Sequence, residues 1–394
     1  MNRKQFLILV LALVVLGGAG LALFWQDIAA YRASGAKIGA RLLPQFKLAE
    51  VAQMRLQDAK QQTTLVRKET GWVVQERGGY PANFQEISDL MVKLAELKVT
   101  QSEPVPATLL SRVDLNEPGK GEGAGTLIEF KDAAGKPLAR LILGKKILKK
   151  DPLNPLPSAV DGVPAGRYVL RPDAKDSVAV VVSDPLNNAE ASTGRWLQKD
   201  FFKADRIKTL TVTPAGGRTG WKITRNEEWG QWKFAAGGGD LAASRAVAAV
   251  NALSSMSFTD VAMGVEPQEL ESPYTIVAET FDNLVYTIKI AKGKTGDDYL
   301  VNAGVSGEPP KSRPAEKDEK AEQKERRDKD FADTRMRLEL RLAREKAQSA
   351  WTYVVAKKDV EPLLRERADL IARKPDKNEK GAPGFPGMPG MPRF

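Results

Sequence analysis

The residue types that most often carry enzyme chemistry are missing from this sequence. Its 394 residues include neither cysteine nor histidine. That composition excludes a thiol nucleophile, a zinc–thiolate site and a serine–histidine triad, and it removes the commonest general base. Two carboxylates facing one cleft could still hydrolyse a glycosidic bond, but no spacing in the sequence selects a pair. We therefore predict that the chain is not an enzyme, with no catalytic, cofactor-binding or metal-ligating residue and no cofactor.

Two other groups of residues have the composition of a ligand site. Gly121, Gly123 and Gly125 alternate, but they lie in a polar linker and not at the strand-to-helix turn of a phosphate-binding loop. Acidic residues from Glu316 to Asp333 would suit Ca²⁺, yet a Lys or Arg neutralises them every few positions. Neither group is predicted to bind a ligand.

Tryptophan side chains could form a platform for sugar rings. Most of the six considered lie in strand patterns, at corresponding or junction positions of the two halves of the chain, which favours packing in the core. They are Trp72, Trp196, Trp221, Trp229, Trp232 and Trp351. Core packing is the prediction, and a sugar platform is the alternative.

An uncharged apolar segment from Phe6 to Trp25 precedes the rest of the chain. Twenty helical residues span about 30 Å, the thickness of a bilayer's hydrocarbon core. Because Arg3 and Lys4 precede the segment, we expect the N-terminus to stay cytoplasmic and the remainder to cross the membrane. We predict an uncleaved transmembrane anchor over residues 1–26 and a stalk over 27–45. A cleaved signal peptide and a buried core helix are the alternatives.

The remainder of the sequence repeats one pattern of elements. Strand patterns around Trp72 and again around Trp232 are each followed by a helix pattern, a proline-containing linker and a hairpin ending in Gly-Lys. We predict an α+β fold of tandem duplicated units, each roughly β-β-β-α-β-β-β-β, with one helix covering each antiparallel sheet. The units are residues 46–200 and 201–372.

Each predicted helix has an apolar stripe at helical spacing. Asn83 and Glu86 fit a capping box at the start of the first helix. Its stripe comprises Phe84, Ile87, Leu90, Met91, Leu94 and Leu97. The second stripe is richer in alanine and should pack closer to its sheet; it comprises Ala243, Ala246, Val247, Val250 and Leu253.

The second unit carries an insertion over residues 311–348. Between Lys311 and Lys346, 23 of 36 residues are charged, 13 basic and 10 acidic. The composition favours a helix, although Met336 to Leu342 alternate like a strand. We predict a helical excursion from a hairpin tip, with Phe331 and Leu338 to Leu342 facing the body or a partner. It is either a partner-docking arm or a solvated insertion.

The C-terminal tail and the net charge give two further predictions. Residues 373–394 include four consecutive Gly-x-Pro triplets, beginning at Gly381, which predicts a disordered tail. With 60 basic and 50 acidic residues, the net charge is +10. The basic residues form no cluster interleaved with aromatics, so we predict no nucleic-acid partner.

Two stretches resemble a known bacterial family. GWVVQERGGYPANFQEISDLMVKLAELKV and GRWLQKDFFKADRIKTLTV resemble the family known as domain of unknown function 4340 over most of residues 46–300. The Gly-Trp strand, the Tyr-Pro-Ala before the helix and the Trp-Leu-x-x-Asp junction carry the resemblance. It implies an envelope protein with an N-terminal membrane segment, often encoded beside an ABC transporter of the gliding-motility type. We therefore predict that the anchor lies in the bacterial inner membrane. The resemblance implies no catalytic residues. The charged insertion and the tail go beyond the family pattern.

Together these features predict a non-enzymatic, membrane-anchored scaffold or accessory subunit with most of its chain in the periplasm. Its expected partners are the lipid bilayer, through Phe6 to Trp25, and a membrane complex of ABC-transporter type. Two other classes stay open, namely a module that binds a cell-envelope polymer and a carboxylate-based hydrolase.

Overall fold

The computed structural model describes residues 38–103, 105–149, 163–174, 178–217, 219–293, 297–314 and 319–372. The chain divides into two compact units between Lys199 and Asp200. Each unit has one antiparallel sheet, of nine strands in the first and eight in the second. The predicted α+β class is confirmed at this level.

Each unit begins with short strands, continues through one main helix and returns to strands. The strands are β1 Gln53–Gln57, β2 Gln62–Lys68, β3 Gly71–Val74, β4 Tyr80–Pro81, β5 Val99–Glu103, β6 Thr126–Lys131, β7 Pro137–Lys149, β8 Val163–Leu170, β9 Ala179–Val182, β10 Ile207–Thr213, β11 Trp221–Thr224, β12 Lys233–Phe234, β13 Asp260–Val261, β14 Tyr274–Thr280, β15 Leu284–Lys292, β16 Asp298–Gly307 and β17 Tyr353–Ala356. The α-helices are α1 Phe84–Glu96, α2 Thr193–Trp196, α3 Ala243–Ser254, α4 Ala321–Gln348, α5 Lys357–Val360 and α6 Arg367–Leu370. Short 3-10 turns lie at Leu48–Glu50, Gln75–Arg77, Ala107–Val113, Ala215–Gly217, Pro267–Glu269 and Glu361–Leu363.

The two sheets have matching strand orders. The first runs β4-β3-β2-β1-β6-β7-β8-β9-β5 and the second runs β12-β11-β10-β14-β15-β16-β17-β13. Apart from β4, each strand of the first sheet therefore has a counterpart at the same place in the second. In both sheets the strand that follows the main helix pairs with the last strand and forms an edge.

Backbone hydrogen bonds at the start of each main helix repeat as well. In the first unit, Asn83 N–H donates to the Trp196 carbonyl at 2.7 Å, and Gln198 N–H donates to Pro81 at 2.9 Å. In the second unit, Ala242 N–H donates to Leu370 at 2.9 Å, and Ala372 N–H donates to Asp240 at 2.8 Å. Each unit thus ties its last segment to the entry of its main helix.

Helix α1 joins the two edges of the first sheet, since it follows β4 at one edge and precedes β5 at the other. Its 13 residues rise about 20 Å.

The apolar face of α1 is confirmed except at its first residue. Ile87, Leu90, Met91 and Leu94 are buried, and Asn83 caps the helix by accepting from the N–H groups of Gln85 and Glu86. Phe84, predicted to be in the stripe, is exposed; it is the first residue of the helix, directly after the cap at Asn83.

The predicted face of α3 is wrong in part. Ala246, Ala249, Ala252 and Leu253 are buried, while Val247 is exposed, Ala243 is exposed and Val250 is half-buried. The helix packs against the Glu361–Leu363 turn, and its C-terminal carbonyl at Leu253 accepts from Ala204 N–H at 3.3 Å. Such close backbone approach favours alanine on the inner face.

Three strands were not predicted. β4 lies in the Tyr-Pro-Ala segment before the first helix, so the first unit has four strands before its helix and not three. β5 and β13 lie in segments read as helix end or proline linker, so each unit has one more strand after its helix than the pattern suggested. The predicted hairpins are confirmed as β6–β7 and β14–β15. The anchor at Phe6 to Trp25, most of the stalk and the tail fall outside the described residues. Within the described ranges, no helix has both the length and the apolar character that crossing a bilayer requires.

Candidate functional site

The largest difference between the units is the connection before the last strand. In the first unit β8 and β9 are joined by eight residues, 171–178, whereas in the second unit β16 and β17 are joined by 45 residues, 308–352. Because both sheets have the same strand order, the long connection is not required to build the sheet. We call residues 308–348 the arm and α4, which they contain, the arm helix.

The arm helix is confirmed as a helix of 28 residues, about 42 Å long. Its first ten residues, 321–330, are all exposed, and we call them the arm tip. Eight of those ten are charged, four acidic and four basic. A mixed-charge helical surface of this kind is soluble and offers ion pairs of both signs to a partner.

The segment before the arm helix runs back along it and fixes its outer part. Arg313 donates to Glu319 at 2.7 Å and to Asp328 at 2.7 Å, and Arg327 donates to Glu319 at 3.2 Å. Arg335 donates to the Lys311 carbonyl at 3.5 Å. The network therefore joins the segment before the arm helix to the outer part of the helix itself.

The base of the arm helix is held by a buried carboxylate. Glu345 is 2% exposed. It accepts from the Tyr286 hydroxyl of β15 at 2.8 Å and from Lys203 N–H at 3.1 Å. Leu342, one turn earlier, is buried beside it. Burial raises the pKa of Glu345, against the hydrogen bonds from Tyr286 and Lys203, which lower it.

Arg341 extends this contact to the segment that precedes β10. It donates to Asp205 at 3.1 Å and lies 3.6 Å from Glu345. Nearby, Arg344 donates to Asp200 at 3.1 Å and Gln348 donates to the Asp200 carbonyl at 2.7 Å. The last two turns of the helix therefore bond to the chain from Asp200 to Asp205, which opens the second unit.

A second charged group lies beside the first. Arg206 donates to both oxygens of Glu228, at 2.8 and 2.9 Å, and to the buried Asp282. Burial raises the pKa of Asp282, against the positive charges of Arg206 and Arg341, which lower it. Since Arg341 acts on both carboxylates, the two groups form one electrostatic cluster under the arm helix. No spacing in the sequence indicated it, because its members are far apart in the chain; Arg341 and Asp205, for example, are separated by 136 residues.

The tryptophans divide into two groups. Trp72, Trp196 and Trp221 are buried, which confirms the predicted core packing for these three. Trp232 and Trp351 are half-buried. Trp229 is 91% exposed, so the core prediction is wrong for it; it lies at the tip of the β11–β12 turn, where no strand covers it.

The glycine series and the acidic series have structural explanations. Gly123 has φ +69°, and a Cβ there would lie 2.2 Å from the Ser111 carbonyl oxygen, so the glycine allows two backbones to approach. Glu319 and Asp328 pair with Arg313. Among the residues that the structure describes, no group of three or more Asp, Glu, His or Cys side chains could hold a metal ion.

Comparison with known proteins adds no assignment. The chain matches no protein-family model, no curated protein and no solved structure.

Proposed function

We propose that this chain is a non-enzymatic, membrane-anchored scaffold outside the cytoplasm, an accessory subunit of a membrane complex of ABC-transporter type. The arm is the observation that carries the proposal. It is an insertion that the common sheet topology does not need, yet its base is secured by a hydrogen bond between the buried side chains of Tyr286 and Glu345. A solvated loop would not require such anchoring, whereas a docking element must be held in direction.

The sequence supplies the remaining support. The apolar segment Phe6 to Trp25 would tether the chain, and the resemblance to the domain of unknown function 4340 points to an envelope protein encoded beside an ABC transporter. We infer that the two units arose by duplication of one α+β unit, and that the second unit serves as the base of the arm.

The test is capture of the membrane partner from detergent-solubilised membranes. We compare the natural chain with a tip variant that reverses two exposed charges, Arg326→Glu with Lys329→Glu. The matched control reverses two exposed charges of the first unit, Lys60→Glu with Lys68→Glu.

The natural chain and the control should recover the same membrane protein, and the tip variant should recover at least about tenfold less, which corresponds to about 1.4 kcal/mol of lost affinity. Recovery of no membrane protein by the natural chain would remove the scaffold proposal. Equal recovery by the tip variant would remove the arm from it.

A second candidate function is binding of a cell-envelope polymer, and the exposure of Trp229 favours it. Its turn borders an open polar groove, and a planar aromatic beside amide and carboxylate groups suits a sugar ring. The groove is lined by Thr224, Arg225, Asn226, Glu227, Gly230, Gln231 and Lys233. Sedimentation with purified cell wall tests it: Trp229→Ala should reduce binding, while Phe84→Ala, which removes another exposed aromatic ring, should not. Equal binding by the two variants would dismiss this candidate.

A further inference from the structure

The arm helix has a second apolar stripe on the side opposite its buried face. Met336 is 61% exposed and Leu340 is 68% exposed. With three exposed alanines they form one line at spacings of four, four, three and four residues. We call this line the outer seam; it comprises Ala332, Met336, Leu340, Ala343 and Ala347.

The outer seam has the spacing of a helix-pairing surface. The buried face of the same helix is centred on Leu338, Leu342 and Glu345, about half a turn away at 100° per residue. Isolated exposed apolar residues are ordinary on protein surfaces, but a narrow apolar line flanked by charged residues is the pattern of a coiled-coil seam. All five side chains of the outer seam are exposed, so no residue that the structure describes covers them.

We propose that the outer seam packs against the outer seam of a second copy of this chain, with the two arm helices antiparallel. The large residues lie in the N-terminal part of the seam and two alanines lie in its C-terminal part. A two-fold axis between Arg341 and Leu342 places Met336 opposite Ala347 of the second copy, and Leu340 opposite Ala343. Every large side chain then meets a small one, so the surface is self-complementary.

A parallel pair would not fit as well. It would stack Met336 on Met336 and Ala343 on Ala343, so one layer would hold the helices apart while the next left a void. The charges are compatible with the antiparallel pair. Glu339 comes beside Lys346 of the second copy, and the repulsion between Arg337 and Arg344 is reduced because Arg344 already pairs with Asp200 at 3.1 Å.

The pairing is expected to be weak. Residues 332–347 extend only about 23 Å along the helix, which provides less area than a stable protein interface of about 1,600 Å² needs. The association should therefore depend on protein concentration. It does not depend on the membrane role, because it uses only residues of the arm helix.

The absence of cysteine from the natural chain makes a direct test possible. Two full-length variants, Leu340→Cys and Ala343→Cys, carry tags of different length, are mixed, and are treated with a short bis-maleimide. We expect the mixed dimer to exceed either self-dimer several-fold. The control is Val247→Cys, at another exposed helical position.

The possible outcomes separate the alternatives. Predominant Leu340→Cys self-dimers would show parallel pairing and overturn the proposal. Cross-linking no greater than that of Val247→Cys would show that the seam does not pair. As a second measurement without cysteines, Met336→Glu with Leu340→Glu should remove the concentration-dependent dimer in sedimentation equilibrium; a dimer that persists would also overturn the proposal.

Discussion

The Tyr286 hydroxyl donates a hydrogen bond of 2.8 Å to Glu345 across the base of the arm helix. The tyrosine belongs to β15, in the interior of the second sheet, and the glutamate belongs to the insertion. Both are buried. This bond therefore fixes the insertion to the part of the unit that both halves of the chain share, and it makes the direction of the arm a property of the fold.

Removing that donor should weaken the second unit. Tyr286→Phe leaves the Glu345 carboxylate with one fewer donor in a buried place, which should lower the free energy of unfolding by about 1–3 kcal/mol. The control is Tyr299→Phe, which alters a half-buried tyrosine on β16 of the same sheet. Urea unfolding of both variants checks the prediction, and equal losses of stability would contradict it.

The pH dependence of stability follows from the same carboxylate. Because burial raises the pKa of Glu345, the native chain keeps its proton at pH values where the unfolded chain has lost it. Stability should therefore fall as the pH rises from the ordinary glutamate pKa of about 4.3 through the raised native value. Glu345→Gln should flatten that part of the profile, as measured by urea midpoints across pH. An unchanged profile would contradict the assignment.

The sequence predicted most elements of the sheets and little of this site. The hairpins around Asp132 and Asp282 could be found because they depend on neighbouring residues, as does the cap at Asn83. The cluster of Glu345, Tyr286 and Asp205 could not be found, because it depends on which strand ends come together. A pairing of distant residues leaves no periodicity in the sequence.

The errors have the same origin. Strand β5 pairs with β9, and Val99 lies opposite Val182. Because the partner is so distant in the chain, only the complete sheet shows that β5 is a strand. On α3, hydrophobicity favoured the valines, but the approach of the distant Glu361–Leu363 turn selects the alanines. Trp229 has the residue type of a core position and the location of a turn tip, and its location decides its exposure.

The two main helices allow a matched test of capping. Asn83 caps α1 with its side chain, whereas Ala242 occupies the same place before α3 without a side-chain cap. Asn83→Ala should destabilise the first unit by about 1 kcal/mol, and Ala242→Asn should stabilise the second by a similar amount. Thermal unfolding checks both signs. A loss of stability from Ala242→Asn would show that the two helix entries differ in geometry.

Arg206 allows side-chain and backbone effects to be separated. It has φ +51°, in the left-handed region that is unfavourable for a residue with a long side chain and open to glycine, while its guanidinium pairs with Glu228 and Asp282. Arg206→Ala and Arg206→Gly lose the same ion pairs. The alanine substitution should lower the free energy of unfolding by about 1–3 kcal/mol. The glycine variant should be about 1 kcal/mol more stable than the alanine variant. Equal free energies of urea unfolding for the alanine and glycine variants would show that the backbone at this position is not strained.

The arm has a function in this account only if it lies outside the cytoplasm and the chain is anchored near its start. Because the natural chain has no cysteine, single cysteines report their own location through a maleimide that does not cross membranes. The decisive measurement compares Lys329→Cys at the arm tip with Asn2→Cys before the apolar segment, in intact and in lysed cells. Lys329→Cys should be labelled in intact cells, whereas Asn2→Cys should be labelled only after lysis. Labelling of Lys329→Cys only after lysis would contradict it.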